Sequence, residues 1–133
     1  MLSIVKKFEF CYGHCLPGHK GRCKNVHGHN SQLEVELVMS ETTEKIRDYD
    51  DMIIDFGDFK KLVTETVIDK LDHQYLNDFI ENPVAENIVL WVARELQNVF
   101  GNSLVRVRVS ETSNSYAEWK KEEFLFQNEK GEN

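Results

Sequence analysis

The spacing of the apolar residues changes along this chain from a period of two to a helical period and back again. Apolar and polar residues alternate over residues 32–39, which is the pattern of a strand that buries one face. Similar alternation predicts strands at residues 3–12, 104–111 and 116–126. Strands at both ends of a helical middle constrain the fold more than any other feature of the sequence.

The middle of the chain has helical spacing. Apolar residues recur every three or four positions over residues 59–71, with Asp55 or Asp58 as the candidate N-cap. A second helix is predicted to open at Asn82-Pro83, because a capping residue followed by proline is typical of a first turn. Gly101 can end that helix.

The predicted element order is ββααββ, with the charged residues 41–51 as a connection that lacks an apolar period. Two antiparallel hairpins with helices between them make an α+β domain, with an antiparallel sheet and two helices on one face. Residues 1–126 are expected to form this single domain. The polar residues 127–133 are expected to be a disordered tail.

Composition indicates which binding partners and which cellular location to expect. Sixteen Lys and Arg residues against twenty-three Asp and Glu residues give a formal charge of −7, which disfavours nucleic-acid binding. The N-terminal residues have no sustained apolar run, so no membrane anchor is expected. Cys11, Cys15 and Cys23 are an odd number near one end of the chain, which favours reduced thiols. We therefore expect a cytoplasmic protein.

Three histidines are expected to meet at the end of the first hairpin. His27 and His29 point to the same side if the strand begins there, and His14 ends the neighbouring strand. Three neutral imidazoles suit Zn²⁺ and leave a fourth position open, as in catalytic sites. The alternatives are hydrogen-bonding or surface histidines, or a structural site completed by a cysteine. His19, in a glycine-flanked loop, is more typical of a solvated residue or a substrate contact.

Cys23 precedes His27 by four residues and lies between Arg22 and Lys24. Neighbouring cations, with a divalent ion close by, favour the thiolate form of a cysteine. A thiolate beside an open metal site can act as a base on a group that the metal polarises. The alternatives for Cys23 are a fourth metal ligand or a thiol without a role, which is also the expectation for the other two cysteines.

Asp72 and His73 lie where the first helix is predicted to end. A carboxylate that orients an imidazole makes a proton relay able to work near neutral pH. Adjacent residues on a helix do not face each other, so the pair requires that the helix stop at this point. The local alternative is a histidine placed favourably at a helix C-terminus.

Glu111 shares the parity of the three valines of its predicted strand, so its carboxylate would point to the buried side. Ionised acids are rarely buried without a partner. The partner would be a ligand with two N–H donors or an internal arginine, Arg106 or Arg108, although the opposite parity of the arginines disfavours that pairing.

Taken together, six stretches resemble the 6-pyruvoyltetrahydropterin synthase / 6-carboxytetrahydropterin synthase family, which has the tunnelling fold (T-fold). These stretches run in family order and comprise residues 10–16, 23–30, 52–56, 71–77, 82–87 and 110–112. The spacing between Cys23 and His27 is similar to that of the bacterial 6-carboxy branch. Val84 and Asp51 stand where the family usually has threonine and glycine, and neither change removes a catalytic group.

The resemblance implies a role for each matched residue. It implies that zinc is bound by three histidines, that a cysteine is the catalytic base and that an Asp–His pair forms the proton relay. It also implies that the pterin ring is bound by the Ser-Glu-Thr segment. The residues concerned are His14, His27 and His29 for zinc, Cys23, Asp72 and His73 for catalysis, and Glu111 and Thr112 for the substrate.

The implied enzyme is a zinc-dependent lyase, a 6-carboxy-5,6,7,8-tetrahydropterin synthase acting on 7,8-dihydroneopterin triphosphate in queuosine (7-deazapurine) biosynthesis. Its products would be 6-carboxytetrahydropterin, acetaldehyde and triphosphate, and Lys20, Arg22 and Lys24 are candidate triphosphate contacts. The alternatives are a 6-pyruvoyl product or a zinc-stabilised pterin-binding protein without turnover. The family also implies a homohexamer built as a dimer of trimers.

Overall fold

A computed structural model of the chain describes residues 1–122. The predicted tail, residues 127–133, and the far end of the predicted last strand lie outside the described residues. Within residues 1–122, no helix is both long enough and apolar enough to cross a membrane.

The described part of the chain forms one five-stranded sheet with helices packed on one face. The strands are β1 (Ile4–His14), β2 (His27–Leu37), β3 (Gln74–Tyr75), β4 (Leu104–Thr112) and β5 (Ser115–Lys120). The helices are α1 (Glu41–Ile46), α2 (Phe56–Val63), α3 (Asp69–Leu71) and α4 (Ala85–Phe100), with a π-helical turn at Thr64–Ile68. Short 3₁₀ turns lie at Arg22–Lys24, Leu76–Asp78 and Gly101–Ser103.

The sheet order is β3-β1-β2-β4-β5, and all neighbours are antiparallel except β3, which runs parallel to β1. The two predicted hairpins are therefore present, and β2 pairs with β4 to join them. In the first hairpin, Ile4 lies opposite Leu37 and His14 lies opposite His27. This register follows from the alternation, because a slip of one residue would expose every apolar side chain of β2.

The first helical segment keeps four residues on one face over thirteen positions. Phe59, Val63, Val67 and Leu71 are all fully buried and lie four positions apart. With 3.6 residues per turn, each such step drifts by about 40° around the axis of a straight α-helix. The wider π-helical turn between α2 and α3 offsets this drift. The N-cap is Asp55, whose carboxylate accepts from the Gly57 and Asp58 amides.

The second long helix, α4, begins two residues later than predicted. Its N-cap is Val84, which has no side-chain hydrogen bond to offer, so the departure from threonine falls at a capping position. Asn82 does not cap the helix. It adopts a left-handed conformation (φ 46°), and its carbonyl accepts from the Val84 amide and the Asn87 side chain. The helix ends at Gly101 (φ 51°), as predicted.

Residues 41–51, predicted as a charged connection without an apolar period, contain the short helix α1. Ser40 caps α1 in a reciprocal capping box with Thr43, which is fully buried. Helix formation here depends on capping and not on an apolar period, which is why the periodicity missed it. Asp51, at the family's glycine position, has φ 70°, a conformation that glycine adopts more readily.

Candidate metal centre and its surroundings

The end of the β1–β2 hairpin brings three imidazoles together. The ring centroids of His14 and His27 are 4.5 Å apart, and the ring of His29 is 5.0 Å from each. One ring nitrogen from each histidine lies within 4.8 Å of the other two. The register explains this convergence, since His14 lies opposite His27 and His29 points to the same side two residues on.

Backbone carbonyls fix which nitrogens face the centre. The Nδ1 atoms of His14 and His27 lie 2.8 Å from the carbonyl oxygens of Pro83 and Asn25, respectively. A carbonyl can only accept, so both Nδ1 atoms carry the proton and both Nε2 atoms present lone pairs. Outer hydrogen bonds of this kind orient histidines that ligate metals. Sequence reasoning missed Pro83 and Asn25, because a backbone acceptor leaves no residue-type signal.

Two of these lone pairs face each other at 2.9 Å, the distance between the Nε2 atoms of His14 and His27. Unprotonated nitrogens this close repel unless a cation lies beside both. Ligand nitrogens in a tetrahedral zinc site lie about 3.3 Å apart. The donor set and its spacing therefore fit a divalent metal ion.

Burial favours the neutral form of two of these histidines, His14 and His29. His14 is fully buried, and desolvation lowers the pKa values of His14 and His29 below the ordinary histidine value. The Nε2 atom of His29 is buried and has no hydrogen-bond partner among the described residues. Neutral imidazole is the form that binds metals, so these shifts favour ligation over protonation.

Glu111 reaches the same centre from β4. Its Oε1 atom lies 3.4 Å from Nε2 of His29 and 4.0 Å from Nε2 of His14. The alternative pairing with Arg106 or Arg108 does not occur, because both arginines lie on the opposite sheet face and pair with other glutamates. The parity argument thus placed this carboxylate correctly, and the structure adds its contact with the histidines.

A cavity of about 520 Å³ opens beside Glu111, between the start of α4 and the edge strand β5. Its walls combine apolar surface with carboxylates, and the lining includes Val89, Leu90, Trp119, Glu86 and Glu111. A cavity with apolar walls and carboxylate groups suits a heterocycle that carries N–H donors.

Asp72 and His73 form the expected pair on the other side of the hairpin end. The helix ends at α3, Asp72 is extended and His73 is left-handed (φ 59°), which turns the two side chains toward each other. Nδ1 of His73 lies 3.0 Å from Asp72 Oδ2, while the Cys11 amide donates to Asp72 Oδ1. This hydrogen bond from the Cys11 amide is the main reason why the pKa of Asp72 lies below its ordinary value. His73 is 79% exposed and borders a surface concavity with His27 and His29.

The three cysteines are free, and they differ in their contacts. The Cys11 thiol donates to Asn30, and the Cys15 thiol contacts the Tyr75 hydroxyl at 3.0 Å. Cys23 lies on the 3₁₀ turn before β2, and its thiol has no hydrogen-bond partner within residues 1–122. Cys23 is not part of the group formed by His14, His27 and His29, whose ring nitrogens lie within 4.8 Å of one another.

The remaining predicted contacts lie at the surface. Lys20, Arg22 and Lys24 are exposed around the 3₁₀ turn, and His19 is exposed with its Nδ1 accepting from the Gly21 amide. Thr112, at the end of β4, donates to the Asn114 side chain. None of these contacts joins Cys23 to the Asp72–His73 pair within the described chain.

Sequence reasoning also missed Tyr12, which lies beneath the histidines. Its ring is 5.1 Å from that of His14 and 5.5 Å from that of His29, and it is 3% exposed. Its hydroxyl is buried without a hydrogen-bond partner among the described residues. Burial, with the charge of Glu111 adding to it, raises the pKa of Tyr12 above its usual range. The alternation placed Tyr12 on the buried face but gave no reason to single it out.

The fold and the site together define the class. The chain shares its mostly antiparallel sheet with helices on one face, which is the tunnelling fold, with a solved structure described as 6-pyruvoyl tetrahydropterin synthase from Caenorhabditis elegans. That structure aligns with a TM-score of 0.73 at 23% identity, covering 90% of this chain and 95% of that one. This likeness shows the fold.

The family follows from the sequence comparison. Residues 3–122 match the family model described as 6-pyruvoyl tetrahydropterin synthase, and the chain belongs to this family. A relative from Archaeoglobus fulgidus is 42% identical over 83% of this chain and 88% of its own length, and its name as a 6-carboxy-5,6,7,8-tetrahydropterin synthase is provisional. A Synechocystis protein with that same name is 35% identical over 90% of this chain and 93% of its own. These names indicate an enzyme of pterin metabolism.

Proposed function

We propose that the protein is a zinc-dependent 6-carboxy-5,6,7,8-tetrahydropterin synthase, a cytoplasmic lyase of queuosine biosynthesis. It would convert 7,8-dihydroneopterin triphosphate and water into 6-carboxytetrahydropterin, acetaldehyde and triphosphate. The observation that carries this proposal is the convergence of one ring nitrogen from each of three histidines beside Glu111 and its cavity. The names of the two relatives support the carboxy product, and the free thiols support the cytoplasm.

His14, His27 and His29 would hold the zinc ion through their Nε2 atoms. Two of these atoms are aimed by backbone carbonyls, and the third is buried without a hydrogen-bond partner among the described residues. When bound, zinc supplies a Lewis acid that polarises the side-chain hydroxyls of the substrate. The open fourth position is the reason to treat the centre as catalytic and not as structural.

Glu111 would anchor the pterin, with Thr112 beside it. A carboxylate has two acceptor oxygens that match the paired N–H donors of the aminopyrimidinone edge. The cavity next to Glu111 offers apolar walls for the ring. Lys20, Arg22 and Lys24 would contact the triphosphate, since their charged ends are exposed around one turn.

Cys23 would act as the base that removes a proton from the substrate side chain, and the Asp72–His73 pair would relay protons. The pair has the required contact of 3.0 Å between carboxylate and imidazole. Asp72 orients the ring, and the extra hydrogen bond from the Cys11 amide holds the carboxylate in its charged form.

We further propose a homohexamer, built as a dimer of trimers, with active sites at subunit contacts. Two observations support this assembly. His73 is largely exposed, and no hydrogen bond within residues 1–122 joins Cys23 to the Asp72–His73 pair. A proton relay gains strength when water is excluded, so covering these residues with a second subunit would serve the chemistry. Light scattering coupled to size-exclusion chromatography gives the number of subunits directly.

One incubation tests the activity. Purified protein of measured zinc content is mixed with 7,8-dihydroneopterin triphosphate, and both acetaldehyde and the pterin product are quantified. The proposal expects acetaldehyde and 6-carboxytetrahydropterin in equal amounts. A 6-pyruvoyl product without acetaldehyde would replace the carboxy assignment with the pyruvoyl one.

Chelation separates an enzyme from a zinc-stabilised binding protein. A structural metal contributes folding free energy, so its removal would unfold the domain. The catalytic proposal expects chelated protein to keep its circular dichroism spectrum and lose turnover, with activity restored by added zinc. Unfolding on chelation, with no turnover before it, would favour the binding protein.

A further inference from the structure

The Tyr12 hydroxyl is a buried donor without a hydrogen-bond partner among residues 1–122. Buried hydroxyls in folded proteins are nearly always hydrogen-bonded, so a buried hydroxyl without a partner needs an explanation. Tyr12 is 3% exposed, and its ring is held by stacking on Phe10 at 5.6 Å and by the rings of His14 and His29. The hydroxyl is therefore fixed next to the centre and not free to turn toward solvent.

The Glu111 carboxylate, in turn, is an acceptor that lacks a hydrogen-bond donor within residues 1–122. Within residues 1–122 it makes no hydrogen bond, and its contacts are Nε2 of His29 at 3.4 Å and Nε2 of His14 at 4.0 Å. Both nitrogens would give their lone pairs to a metal, after which neither could donate to the carboxylate. A loaded centre thus leaves Glu111 in need of another donor.

We infer that Tyr12 is a positioning residue, whose hydroxyl donates a hydrogen bond to the Glu111 carboxylate when the centre is loaded. Both side chains lie against His29, and Tyr12 is the hydroxyl donor without a partner at that place in the described chain. A carboxylate held in this way presents its remaining lone pairs in a fixed direction toward the ligand. This inference rests on the proposed role of Glu111 as the pterin anchor.

A double-mutant cycle tests the inference. Neopterin is titrated, by its fluorescence, into zinc-loaded wild type, Tyr12→Phe, Glu111→Gln and the double variant. We expect Tyr12→Phe to keep the metal content of the wild type and to bind neopterin roughly tenfold to a hundredfold more weakly, as expected for a lost hydrogen bond to a charged group. In the Glu111→Gln background, Tyr12→Phe should have no further effect, because it acts through that carboxylate.

The control is Tyr49→Phe, which removes the same atom from a tyrosine that is 69% exposed. Several outcomes would overturn the inference. They are neopterin affinity unchanged in Tyr12→Phe, losses that multiply in the double variant, or loss of metal from Tyr12→Phe. Unlike a structural role, the positioning role predicts that thermal stability of the metal-free protein is unchanged or higher in Tyr12→Phe. If wild type itself binds no pterin, the proposed function fails together with this inference.

Discussion

The two faces of the sheet differ in whether their polar side chains have hydrogen-bond partners among the described residues. On the face without helices, Arg106 donates to Glu36 at 2.6 Å and Arg108 donates to Glu118 at 2.9 Å. On the helix-covered face, the end of the hairpin leaves polar atoms without partners among the described residues, namely the Tyr12 hydroxyl and His29 Nε2.

This difference in pairing indicates that one face contributes to stability and the other to ligand binding. Saturated charges near a surface contribute modestly to stability and place no demand on a ligand. Buried groups left without partners are costly, and in a folded protein they are best explained by something that binds there. We therefore expect substitutions on the helix-covered face to change metal binding and turnover, and substitutions on the charged face to change stability alone.

The largest effect is expected on the site face. His29→Ala removes one of the three proposed metal ligands, so the protein should lose zinc and its turnover should fall to background, because a Lewis acid worth several kcal/mol is lost. Metal analysis and acetaldehyde release on the same sample measure both. His19→Ala is the matched control for zinc content, because that imidazole is exposed in a loop and is not part of the three-histidine group. Full zinc content in His29→Ala would remove His29 from the ligand set.

Cys23→Ala should separate chemistry from metal binding. We expect zinc to stay bound and kcat to fall by about 10²–10⁴-fold, as for a lost general base. Cys15→Ala serves as the control, since that thiol already contacts Tyr75. Loss of zinc from Cys23→Ala would make Cys23 a ligand and not a base.

The metal-free protein should lose stability in acid over a defined range. Burial lowers the pKa values of His14 and His29 in the folded state, so the unfolded chain binds protons first as the pH falls below about 6.5. The stability that neutral histidines allow is present above that pH and declines as the pH approaches their lowered values. Denaturant titrations of the metal-free protein from pH 8 to 5 measure the slope. An equal slope in His29→Asn would contradict this assignment.

The smallest effect is expected on the charged face. Glu36→Gln weakens the contact with Arg106 and should lower the free energy of unfolding by about 1 kcal/mol, less at high salt. Zinc content and turnover should not change. Lys7→Ala, which breaks an exposed pair with Glu34, should be smaller still. A large loss of turnover in Glu36→Gln would show that the two faces are not separate.

Much of the site was predictable because it depends on local pattern. Antiparallel pairing of β1 with β2 follows from their alternation, and pairing alone puts His14 opposite His27. The direction of Glu111 follows from the parity of β4. The end of the helix before Asp72 was a condition of the proton-relay hypothesis, and the structure meets it with the left-handed His73.

Other features had no signal in residue type. The carbonyls of Pro83 and Asn25 are available to the histidines because of backbone positions far from β1 or outside regular structure. The short strand β3 joins β1 through only two residue pairs, too few for a pattern. Helix α1 depends on a capping box, which periodicity does not detect.

The sequence by itself determined the long strands, the two main helical segments, the pairing of the first hairpin and the residue types at the site, because apolar periodicity is a property of the local backbone. Only the tertiary structure decided which atoms face each other. The approach of Glu111 to His29, the His14 tautomer set by the Pro83 carbonyl and the Tyr12 hydroxyl that lacks a partner among residues 1–122 all depend on packing between segments that are remote in the chain.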